Sequence, residues 1–281
     1  MTHSRTAVRA LLTAHGLAPR RDLGQNFVAD PNTVRRIAHL AGVGTGDHVV
    51  EIGAGLGSLT LALAETGARI TAIEVDRGLA GVLRDVVADV PAVRVMEVDA
   101  MTADWDDVLR GGREGALAVL VANLPYNVAT PLVCDVLDQV AGIGRLLVMV
   151  QREVAERFAA VPRTAAYGSV SVKVAYWATA RLVGLVPASV FVPRPNVESA
   201  LVEIVRHRPP DTDAAALFTL VRTAFGQRRK MLRRSLADVV SPDQFAAAGV
   251  EPTARPEELD VAAWCALTDA VETQARECSP R

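Results

Sequence analysis

The sequence predicts an α/β fold in which helices cover both faces of a parallel sheet, followed by a small all-helical domain at the C-terminus. Three observations predict this fold. From Asp47 onward, β-rich and helix-like segments alternate, a glycine-rich loop follows the first of these strands, and beyond about residue 213 only helical patterns occur. Such sheets bind ligands at the carboxyl ends of their strands, so the residues at those ends are the candidates for function.

Each predicted strand is a short run rich in β-branched residues, and most are followed by a segment with helical spacing. The first five strands read HVVEI, RITAIEV, VRVMEV, LAVLVA and RLLVMVQ, and SVSVKVAYWA and ALVEIV are predicted as later strands. The helices read SLTLALAETG, RGLAGVLRDVVADV, TPLVCDVLDQVA and REVAERFAAV. Gly67 is expected to cap the first helix, Pro91 stops the second, and Pro131 lies in the first turn of the third, where proline is tolerated.

The pattern changes after RHRPPDTD. The remaining segments all have helical spacing and read AAALFTLVRTAFGQRRKMLRRSL, SPDQFAAAG and RPEELDVAAWCALTDAVETQA. Pro209 and Pro210 therefore mark a domain boundary. We predict a first domain at residues 1–208, with a basic N-terminal arm, and a small helical domain at residues 209–281.

Composition and cysteine usage narrow the class of protein. Of the 281 residues, 50% are hydrophobic and 22% are charged, so the chain can form a packed core. Cys134, Cys265 and Cys278 have neither the pairing nor the spacing of a disulfide framework or a zinc site. No apolar stretch reaches the roughly 18 residues needed to cross a bilayer, and the N-terminus lacks a secretory signal pattern. The sequence thus predicts a cytoplasmic protein without a metal site.

The net charge is −2, but the basic residues are unevenly placed. Residues 1–21 carry four arginines and no acid, and residues 222–234 carry six basic residues and no acid. Phosphate binding needs local positive potential and tolerates a neutral total charge. The candidates for nucleic-acid contact are Arg222, Arg228, Arg229, Lys230, Arg233 and Arg234, of which the last five are expected on nearby turns of one helix. The alternative is that these residues lie on a solvent-exposed helix face and bind no nucleic acid.

The stretch VVEIGAGLGSLT places Gly53, Gly55 and Gly57 between a strand and a helix. Glycine allows backbone torsions and a close approach of ligands that a Cβ would forbid, so Gly53 and Gly55 are candidate cofactor-binding residues. The spacing is G-x-G-x-G, which differs from the G-x-G-x-x-G fingerprint of dinucleotide sites. By itself, such a loop could also be a plain tight turn.

Two acids follow at the ends of the next two strands. Glu74 can accept hydrogen bonds from both ribose hydroxyls of a nucleoside. Asp99, together with the neighbouring backbone at Ala100, can hydrogen-bond an adenine amino group. Either acid alone would be an ordinary strand-end residue, but a glycine loop and two acids at three successive strand ends favour a nucleoside site.

The sequence also narrows the choice of nucleoside cofactor. The sequence has no G-x-x-x-x-G-K-[ST] loop, which disfavours an NTPase. Its five histidines are expected at surface or loop positions, so a nicotinamide dehydrogenase would lack a well-placed proton donor. The G-x-G-x-G loop and the strand-end acid instead match the Rossmann-like methyltransferases that use S-adenosylmethionine (SAM).

The stretch VANLPYN offers the groups that methyl transfer to a base amine needs. The lone pair of an exocyclic amine is delocalised into the ring and must be localised before it can attack. The Asn123 side-chain oxygen and a main-chain carbonyl, best placed at Leu124, can accept the two N–H bonds and favour that state. Pro125 stiffens the turn, and Tyr126 offers a ring on which an extruded base can stack. Alone, the motif could also be a proline turn with a core tyrosine.

Motifs along nearly the whole chain resemble those of one family. They read LGQNFVAD (23–30), EIGAGLGSLT (51–60), IEVDRGLA (73–80), VDAM (98–101), ANLPYNVATPL (122–132), VQREVAERF (150–158), AYGSVSV (166–172), FVPRPNVESALV (191–202) and AFGQRRKMLRRSL (224–236). In these stretches the chain resembles the KsgA (RsmA) family of small-subunit rRNA adenine dimethyltransferases. Two departures are Ala54, where the family often has proline, and Ala122, where it often has glycine; neither carries the chemistry.

The resemblance implies SAM contacts from Asn26, Val28, Gly53, Glu74, Asp99 and Asn123, with Gln25 and Phe27 near the site. It also implies dimethylation of N6 on two adjacent adenosines in the loop of the 3′-terminal helix of 16S rRNA, within an assembling 30S particle, by a monomeric enzyme. The loop FVPRPNVES could line the base pocket, contact RNA, or serve only as a connector.

Three other functions are open at this point. The chain also resembles the Erm enzymes, which methylate a 23S rRNA adenine, although NLPYN and FGQRRKMLRRSL favour the KsgA group. A non-catalytic nucleic-acid-binding factor, like the mitochondrial transcription relatives, is disfavoured by the intact Asn123, Pro125 and Tyr126. A small-molecule methyltransferase is disfavoured by the basic C-terminal segment and the additional domain.

Overall fold

The computed structural model describes residues 2–20, 23–113 and 115–277. The chain divides into two compact units, one formed by Met1–Ala155 and Arg181–Arg206, the other by Glu156–Ala180 and His207–Arg281. This partition differs from the predicted division at residue 208 in two respects, because residues 156–180 group with the C-terminal helices and the last boundary lies after Arg206.

Strands and helices alternate through the first unit, and helices dominate the second. The strands are β1 (Phe27–Val28), β2 (His48–Ile52), β3 (Arg69–Glu74), β4 (Val93–Glu97), β5 (Ala118–Asn123), β6 (Ile143–Gln151), β7 (Ala178–Val186), β8 (Phe191–Val192) and β9 (Ser199–Arg206). The helices are α1 (Arg5–Ala14), α2 (Pro31–Ala41), α3 (Ser58–Ala64), α4 (Arg77–Val86), α5 (Trp105–Val108), α6 (Ala129–Gln139), α7 (Arg152–Phe158), α8 (Ser169–Trp177), α9 (Ala214–Phe225), α10 (Leu232–Ser235), α11 (Pro242–Ala247) and α12 (Val261–Glu277). None of the helices in this described part of the chain is long and apolar enough to cross a membrane.

Seven strands form one sheet in the order β4-β3-β2-β5-β6-β9-β7. β2 pairs in parallel with β3 and β5, β3 with β4, and β5 with β6, whereas β9 is antiparallel to β6. The predicted Rossmann-like α/β fold is confirmed, with an antiparallel strand added to the parallel part of the sheet. Because the chain leaves β2 toward β3 on one side and returns to β5 on the other, a topological switch point forms beside the carboxyl end of β2.

The central strands are covered on both faces, which is why they read as nearly continuous apolar runs. All five residues of β2 and the last five residues of β3 are buried. They share a core with α2 and α3, including Ile37 and Leu63. The Asp30 side chain caps α2 by accepting a hydrogen bond from the Thr33 N–H at 2.9 Å, and the helix ends at Gly42 in a left-handed conformation.

The predicted basic N-terminal arm is a helix, α1, with one face packed into the first unit. Val8 and Leu12 are buried in a cluster that also contains Phe27 and Leu56. The arginines of this helix are exposed, and Arg21 lies outside the described residues. One face of the helix therefore packs into the core, and its arginine side chains are exposed on the other.

In the second unit, the segment SVSVKVAYWA, predicted as a strand, forms α8. That prediction is wrong because alternating serine and valine imitate the two-residue period of a strand, and tertiary packing overrides so short a pattern. As a helix, the segment buries Val172 and Tyr176 in a core with Phe218 and Trp264. The Tyr176 and Phe218 rings meet edge to face with centroids 5.4 Å apart.

The segment AAALFTLVRTAFGQRRKMLRRSL, expected as one helix, forms two helices joined by a turn at residues 226–231. α9 ends at Phe225, where the Gly226 N–H still donates to the Arg222 carbonyl at 2.9 Å. The Leu232 N–H then donates to the Ala254 carbonyl at 2.8 Å, a long-range bond that holds the start of α10. The expectation that the basic residues lie on neighbouring turns of one helix is therefore wrong.

Candidate active site

A cavity of about 240 Å³ opens at the carboxyl edge of the sheet, where β2, β3 and β5 end. All twelve residues predicted to act in catalysis or cofactor binding line it. They are Gln25, Asn26, Val28, Gly53, Gly55, Glu74, Asp99, Ala100, Asn123, Leu124, Pro125 and Tyr126. The strand order brings together the residues that follow β2, β3 and β5, because it places β3 and β5 on either side of β2, and the N-terminal segment 23–28 adds the other three.

The glycine loop forms the floor of the cavity through backbone geometry that other residues rarely adopt. Gly53, Gly55 and Gly57 have φ angles of 73°, 57° and 81°, all in the left-handed region. A Cβ at Gly55 would lie 3.1 Å from the Phe27 ring, so glycine also allows the N-terminal segment to cover the loop. The Gly53 N–H donates to the Ile73 carbonyl at 2.9 Å and ties the loop to β3.

The Glu74 carboxylate is fixed by the main chain on both of its oxygens. Oε2 accepts from the Gly55 N–H at 2.8 Å, and Oε1 accepts from the Asp76 N–H at 2.9 Å. Burial raises the pKa of Glu74, and these two hydrogen bonds act in the opposite direction. An ionised carboxylate has about four acceptor positions, so Glu74 can still accept hydrogen bonds from a ligand.

Glu51 is a cavity residue that the sequence analysis missed. It lies in β2, is almost fully buried, and its Oε2 has no hydrogen-bond partner among the described residues. Burial raises the pKa of Glu51 to about 8, the nearby Thr60 hydroxyl opposes this rise, and the charge of Glu74 adds to it. A buried carboxyl oxygen left without a partner can accept a hydrogen bond from a ligand. An acid inside an otherwise apolar strand is the signal that could have identified it.

Asp99 lies at the rim and is exposed. Its Oδ1 accepts from the Met101 N–H at 2.9 Å, which turns the chain over the cavity. Two large apolar side chains border the cavity beside it and are unusually exposed, Val75 at 53% and Met101 at 40%. Such exposed apolar side chains are suited to cover a planar ring, and the sequence analysis did not single them out.

The Asn123 side chain is held in one orientation. Its Nδ2 donates to the main-chain carbonyl of Asn26 at 3.0 Å. Because a carbonyl oxygen can only accept, the amide must present its nitrogen there and its oxygen on the opposite side. That oxygen, Oδ1, receives no hydrogen bond from the described residues. An acceptor is thus left available at the end of β5.

The turn after Asn123 leaves a second acceptor available. The Leu124 N–H donates to the Met149 carbonyl at 3.0 Å, which continues the pairing of β5 with β6. The Pro125 carbonyl accepts from Val128 and Ala129, at 3.2 and 3.1 Å, and closes the turn that leads into α6. No donor among the described residues contacts the Leu124 carbonyl. Its availability agrees with the role predicted for it, which stays a prediction.

Tyr126 is half-buried at the same rim. Its phenol oxygen lies 2.9 Å from the Oγ of Ser199, the first residue of β9. Burial raises the pKa of the Tyr126 phenol, and the hydrogen bond with Ser199 opposes that rise. The tyrosine is therefore a neutral ring at the cavity and is not a core residue, as the alternative interpretation of the motif would require.

The N-terminal segment 23–28 forms one wall of the cavity. Phe27 pairs with Val192 where β1 and β8 form a two-stranded antiparallel sheet. Gln25 binds the protein through both ends of its amide, because Nε2 donates to Asp76 at 3.3 Å and Oε1 accepts from the Arg20 N–H at 2.8 Å. Gln25 thus anchors this wall, and its predicted contact with a cofactor stays a prediction.

The five histidines all lie in described residues, and none lines the cavity. The expectation of surface or loop positions is wrong for His48, which is buried in β2 and pairs with the Thr71 hydroxyl at 2.9 Å. Burial lowers the pKa of His48. Its environment is that of a structural residue.

The predicted nucleic-acid residues lie in the second unit and differ in their surroundings. Arg228 is half-buried, because its Nε pairs with Glu257 at 2.7 Å and its Nη2 donates to the Ala165 carbonyl at 3.1 Å. Arg222 donates to the Thr219 hydroxyl at 3.1 Å. The other four are exposed, and no described acid forms an ion pair with them: Arg229, Lys230, Arg233 and Arg234. These four are the better candidates for phosphate contact.

Comparison with known sequences gives consistent matches along the chain. The family model for ribosomal RNA adenine dimethylase matches residues 16–273. A protein of Bifidobacterium longum subsp. infantis named ribosomal RNA small subunit methyltransferase A is 43% identical, over 95% of this chain and 92% of that protein. A protein of the same name from Nocardia farcinica is 45% identical, over 92% of each chain. The corresponding Streptomyces coelicolor protein is 44% identical, over 93% of this chain and 94% of its own.

Two solved structures are similar over most of the chain. The crystal structure of the 23S rRNA methyltransferase ErmE aligns with a TM-score of 0.66 and 25% identity, covering 88% of this chain and 99% of that one. The crystal structure of a dimethyladenosine transferase from Plasmodium falciparum aligns with a TM-score of 0.74 and 21% identity, covering 88% of this chain and 97% of that one. The second likeness bears on the fold alone.

Proposed function

The chain belongs to the ribosomal RNA adenine dimethylase family, and on this premise we propose that it methylates N6 of two adjacent adenosines in 16S rRNA. The adenosines lie in the loop of the 3′-terminal helix, the substrate is an assembling 30S particle, and the methyl donor is SAM. The relatives' shared name, ribosomal RNA small subunit methyltransferase A, supports the choice of subunit. The site observation that carries the proposal is the fixed amide of Asn123, whose available oxygen borders a cavity suited to a nucleoside cofactor.

The residues of the cavity fit SAM. Glu74 would accept the ribose hydroxyls, and Asp99 with the Ala100 backbone would bind the adenine edge, between the exposed side chains of Val75 and Met101. The unpaired oxygen of Glu51 suits a cationic or N–H donor of the same ligand. When bound, SAM would supply an electrophilic methyl group on its sulfonium.

Asn123 and Leu124 would activate the target amine without acting as bases. The Asn123 Oδ1 and the Leu124 carbonyl accept its two N–H bonds, which localises the nitrogen lone pair and aims it at the methyl group. An amide is not basic, so the proton leaves to solvent after transfer. After one transfer only one N–H is left on the nitrogen, so the second methylation uses one of these two acceptors.

Tyr126 would receive the extruded base. Taking a base out of its stack costs a few kcal/mol, and stacking on an aromatic ring returns about 1–3 kcal/mol. The half-buried ring at the cavity rim is suited to this contact. Pro125 restricts the turn that carries the ring and so limits the ordering needed on binding.

The exposed cations of the second unit would bind rRNA phosphates. Arg229, Lys230, Arg233 and Arg234 supply local positive charge in a chain whose net charge is −2. Phosphate contacts of this kind position an RNA substrate without reading its sequence. We propose a monomeric enzyme that acts in the cytoplasm, where its ribosomal substrate is assembled.

The test is methylation of defined substrates with SAM. Purified 30S subunits from cells lacking this protein should gain four methyl groups each, and mass mapping should find them on two adjacent adenosines near the 3′ end of 16S rRNA. Transfer to naked 23S rRNA in place of 30S would assign the protein to the Erm group. SAM binding without any transfer would indicate a non-catalytic factor.

A further inference from the structure

We propose that Ser199 is a positioning residue for this methylation, because its hydroxyl holds the Tyr126 ring at the angle needed to stack the extruded adenine. The inference rests on the function proposed above. It gives a role to the stretch FVPRPNVES, whose last residue is Ser199, where the sequence left the choice between a pocket wall, an RNA contact and a simple connector.

The two hydroxyls meet across a long stretch of chain. The Tyr126 phenol oxygen and the Ser199 Oγ are 2.9 Å apart, although the residues are 73 positions apart in sequence. Ser199 is fully buried, whereas Tyr126 is half-buried and lines the cavity. The hydrogen bond thus joins a side chain sealed in the fold to one that faces the ligand site.

Ser199 is held firmly by its backbone. As the first residue of β9, it pairs with Gln151 of β6 in the antiparallel part of the sheet. The residue before it is also fixed, because the Glu198 carbonyl accepts from the Arg152 N–H at 3.0 Å. The main chain that carries the Ser199 hydroxyl is therefore held in place behind Tyr126, which lines the cavity.

Tyr126 lies in the turn between β5 and α6. A tyrosine side chain has two rotatable bonds, so a hydrogen bond at its far end restricts the swing of the ring. Freezing such a side chain only when the base arrives would weaken base capture by about three- to tenfold. With Ser199 in place, the ring is ordered before the base is extruded.

The proposal separates base capture from particle docking. The cations that we assign to docking lie in the second unit, and the residues that we assign to SAM do not include Ser199. Loss of the Ser199 hydroxyl should therefore lower kcat about three- to tenfold, with KM for 30S subunits and Kd for SAM unchanged. Tyr126→Phe retains the stacking ring and removes only the phenol oxygen, so it should have the same effect as Ser199→Ala.

The test is a double-mutant cycle on the full chain with 30S subunits and SAM, using Ser199→Ala, Tyr126→Phe and both together. The double variant should lose no more activity than either single variant, because all three lack the same hydrogen bond. Ser199→Thr keeps a hydroxyl, so it should retain most of the wild-type kcat that Ser199→Ala loses. Independent losses that multiply in the double variant, or an unchanged kcat in Ser199→Ala, would overturn the proposal.

A matched control separates positioning from stability. Ser171 is another fully buried serine, and its hydroxyl donates to the Arg157 carbonyl at 2.7 Å and accepts from the Gly168 N–H at 3.0 Å. Ser171→Ala should lower the melting temperature without the drop in kcat seen in Ser199→Ala. If kcat fell in proportion to the loss of melting temperature in both Ser199→Ala and Ser171→Ala, the positioning role would be overturned. If the wild-type protein does not methylate 30S subunits, the proposed function itself fails, which is a different result from an active wild type with an unaffected Ser199→Ala.

Discussion

The side-chain amide of Asn123 donates a hydrogen bond to the main-chain carbonyl of Asn26, 97 residues earlier in the chain, at 3.0 Å. One end of this contact is the residue we assign to the target amine, and the other belongs to the wall of the cofactor cavity. This hydrogen bond therefore connects the site of the target amine to the wall of the cofactor cavity. A change at either end is expected to affect the orientation of the catalytic amide.

Asn123→Ala should lower methyl transfer to 30S subunits by about 10²–10³-fold, as removal of a fixed polar group from a transition-state site commonly does. Asn123→Asp is the sharper variant, because it keeps the volume and an acceptor oxygen but cannot donate to the Asn26 carbonyl. It should also be strongly impaired. Single-turnover methylation measures both effects, and circular dichroism should report an unchanged fold. Near-normal turnover in Asn123→Ala would remove this residue from the mechanism.

Glu74→Gln should raise the Kd for SAM by about tenfold or more, because the amide replaces a charged acceptor and brings an NH₂ group toward main-chain N–H donors. Titration calorimetry measures the affinity directly. Glu65→Gln is a matched control, since Glu65 follows α3 with an exposed side chain that pairs with Arg35. Equal SAM affinities in the two variants would contradict the ribose-binding role of Glu74.

Glu51 should make the stability of the ligand-free protein depend on pH. Its pKa is raised from an ordinary value near 4.5 to about 8 by burial, so the folded state binds more protons than the unfolded state between these values. The free energy of unfolding should therefore fall as the pH rises through this window, by up to about 1.4 kcal/mol per pH unit from this group.

Glu51→Gln removes that titration, so its stability relative to the wild type should increase from pH 5 to pH 8 and level off above. Urea unfolding at several pH values measures the difference. Parallel stability curves for the two proteins would show that Glu51 is ionised in the folded state at neutral pH.

Arg229→Glu combined with Lys230→Glu should weaken 30S binding and make it less sensitive to salt. The slope of the logarithm of the binding constant against the logarithm of the salt concentration should become shallower by about one for each phosphate that is no longer bound. SAM affinity should be unchanged. Arg228→Glu is a poor probe, because it would place a carboxylate against Glu257 and disturb the fold of the second unit. Binding measured at several salt concentrations tests the prediction.

Arg113→Glu is the control for charge reversal, and because it reverses one charge and the double variant reverses two, the losses of binding are compared per reversed charge. Arg113 is exposed and precedes β5, so it lies toward the amino ends of the parallel strands and not at their carboxyl ends, where the cavity opens. An equal loss of 30S binding free energy per reversed charge in the control and in the double variant would show a general charge effect, with no specific role for residues 229 and 230.

The sequence predicted the site well where residues distant in the chain come together because they lie at the carboxyl ends of neighbouring parallel strands. Gly53, Glu74 and Asn123 are far apart in the chain, but each ends or directly follows a parallel strand, and parallel strands bring their carboxyl ends to one edge. That geometry follows from the alternation of strands and helices alone. The convergence of the nine predicted residues from Gly53 to Tyr126 on one cavity follows from it as well, whereas Gln25, Asn26 and Val28 reach the cavity through the N-terminal segment, which the alternation does not place.

The features that the sequence could not predict are those that depend on contacts between residues distant in the chain. The contact between Tyr126 and Ser199 requires β9 to lie beside β6, an antiparallel addition that the alternating pattern does not specify. The two-residue period of Ser169 to Val174 favours a strand, and only packing against aromatic residues of the second unit makes it a helix. An acid within a largely apolar strand marks Glu51 in the sequence, but the unpaired state of its Oε2 depends on neighbours that are distant in the chain.

The most direct measurement is a crystal structure of the protein with S-adenosylhomocysteine and a short RNA containing the two adjacent adenosines. The account predicts an extruded adenine against Tyr126, with its N6 within hydrogen-bonding distance of the Asn123 Oδ1 and the Leu124 carbonyl and directed at the cofactor sulfur. A structure with the cofactor bound, but with the rim at Asn123 closed by protein side chains or the adenine amine held by other groups, would contradict it.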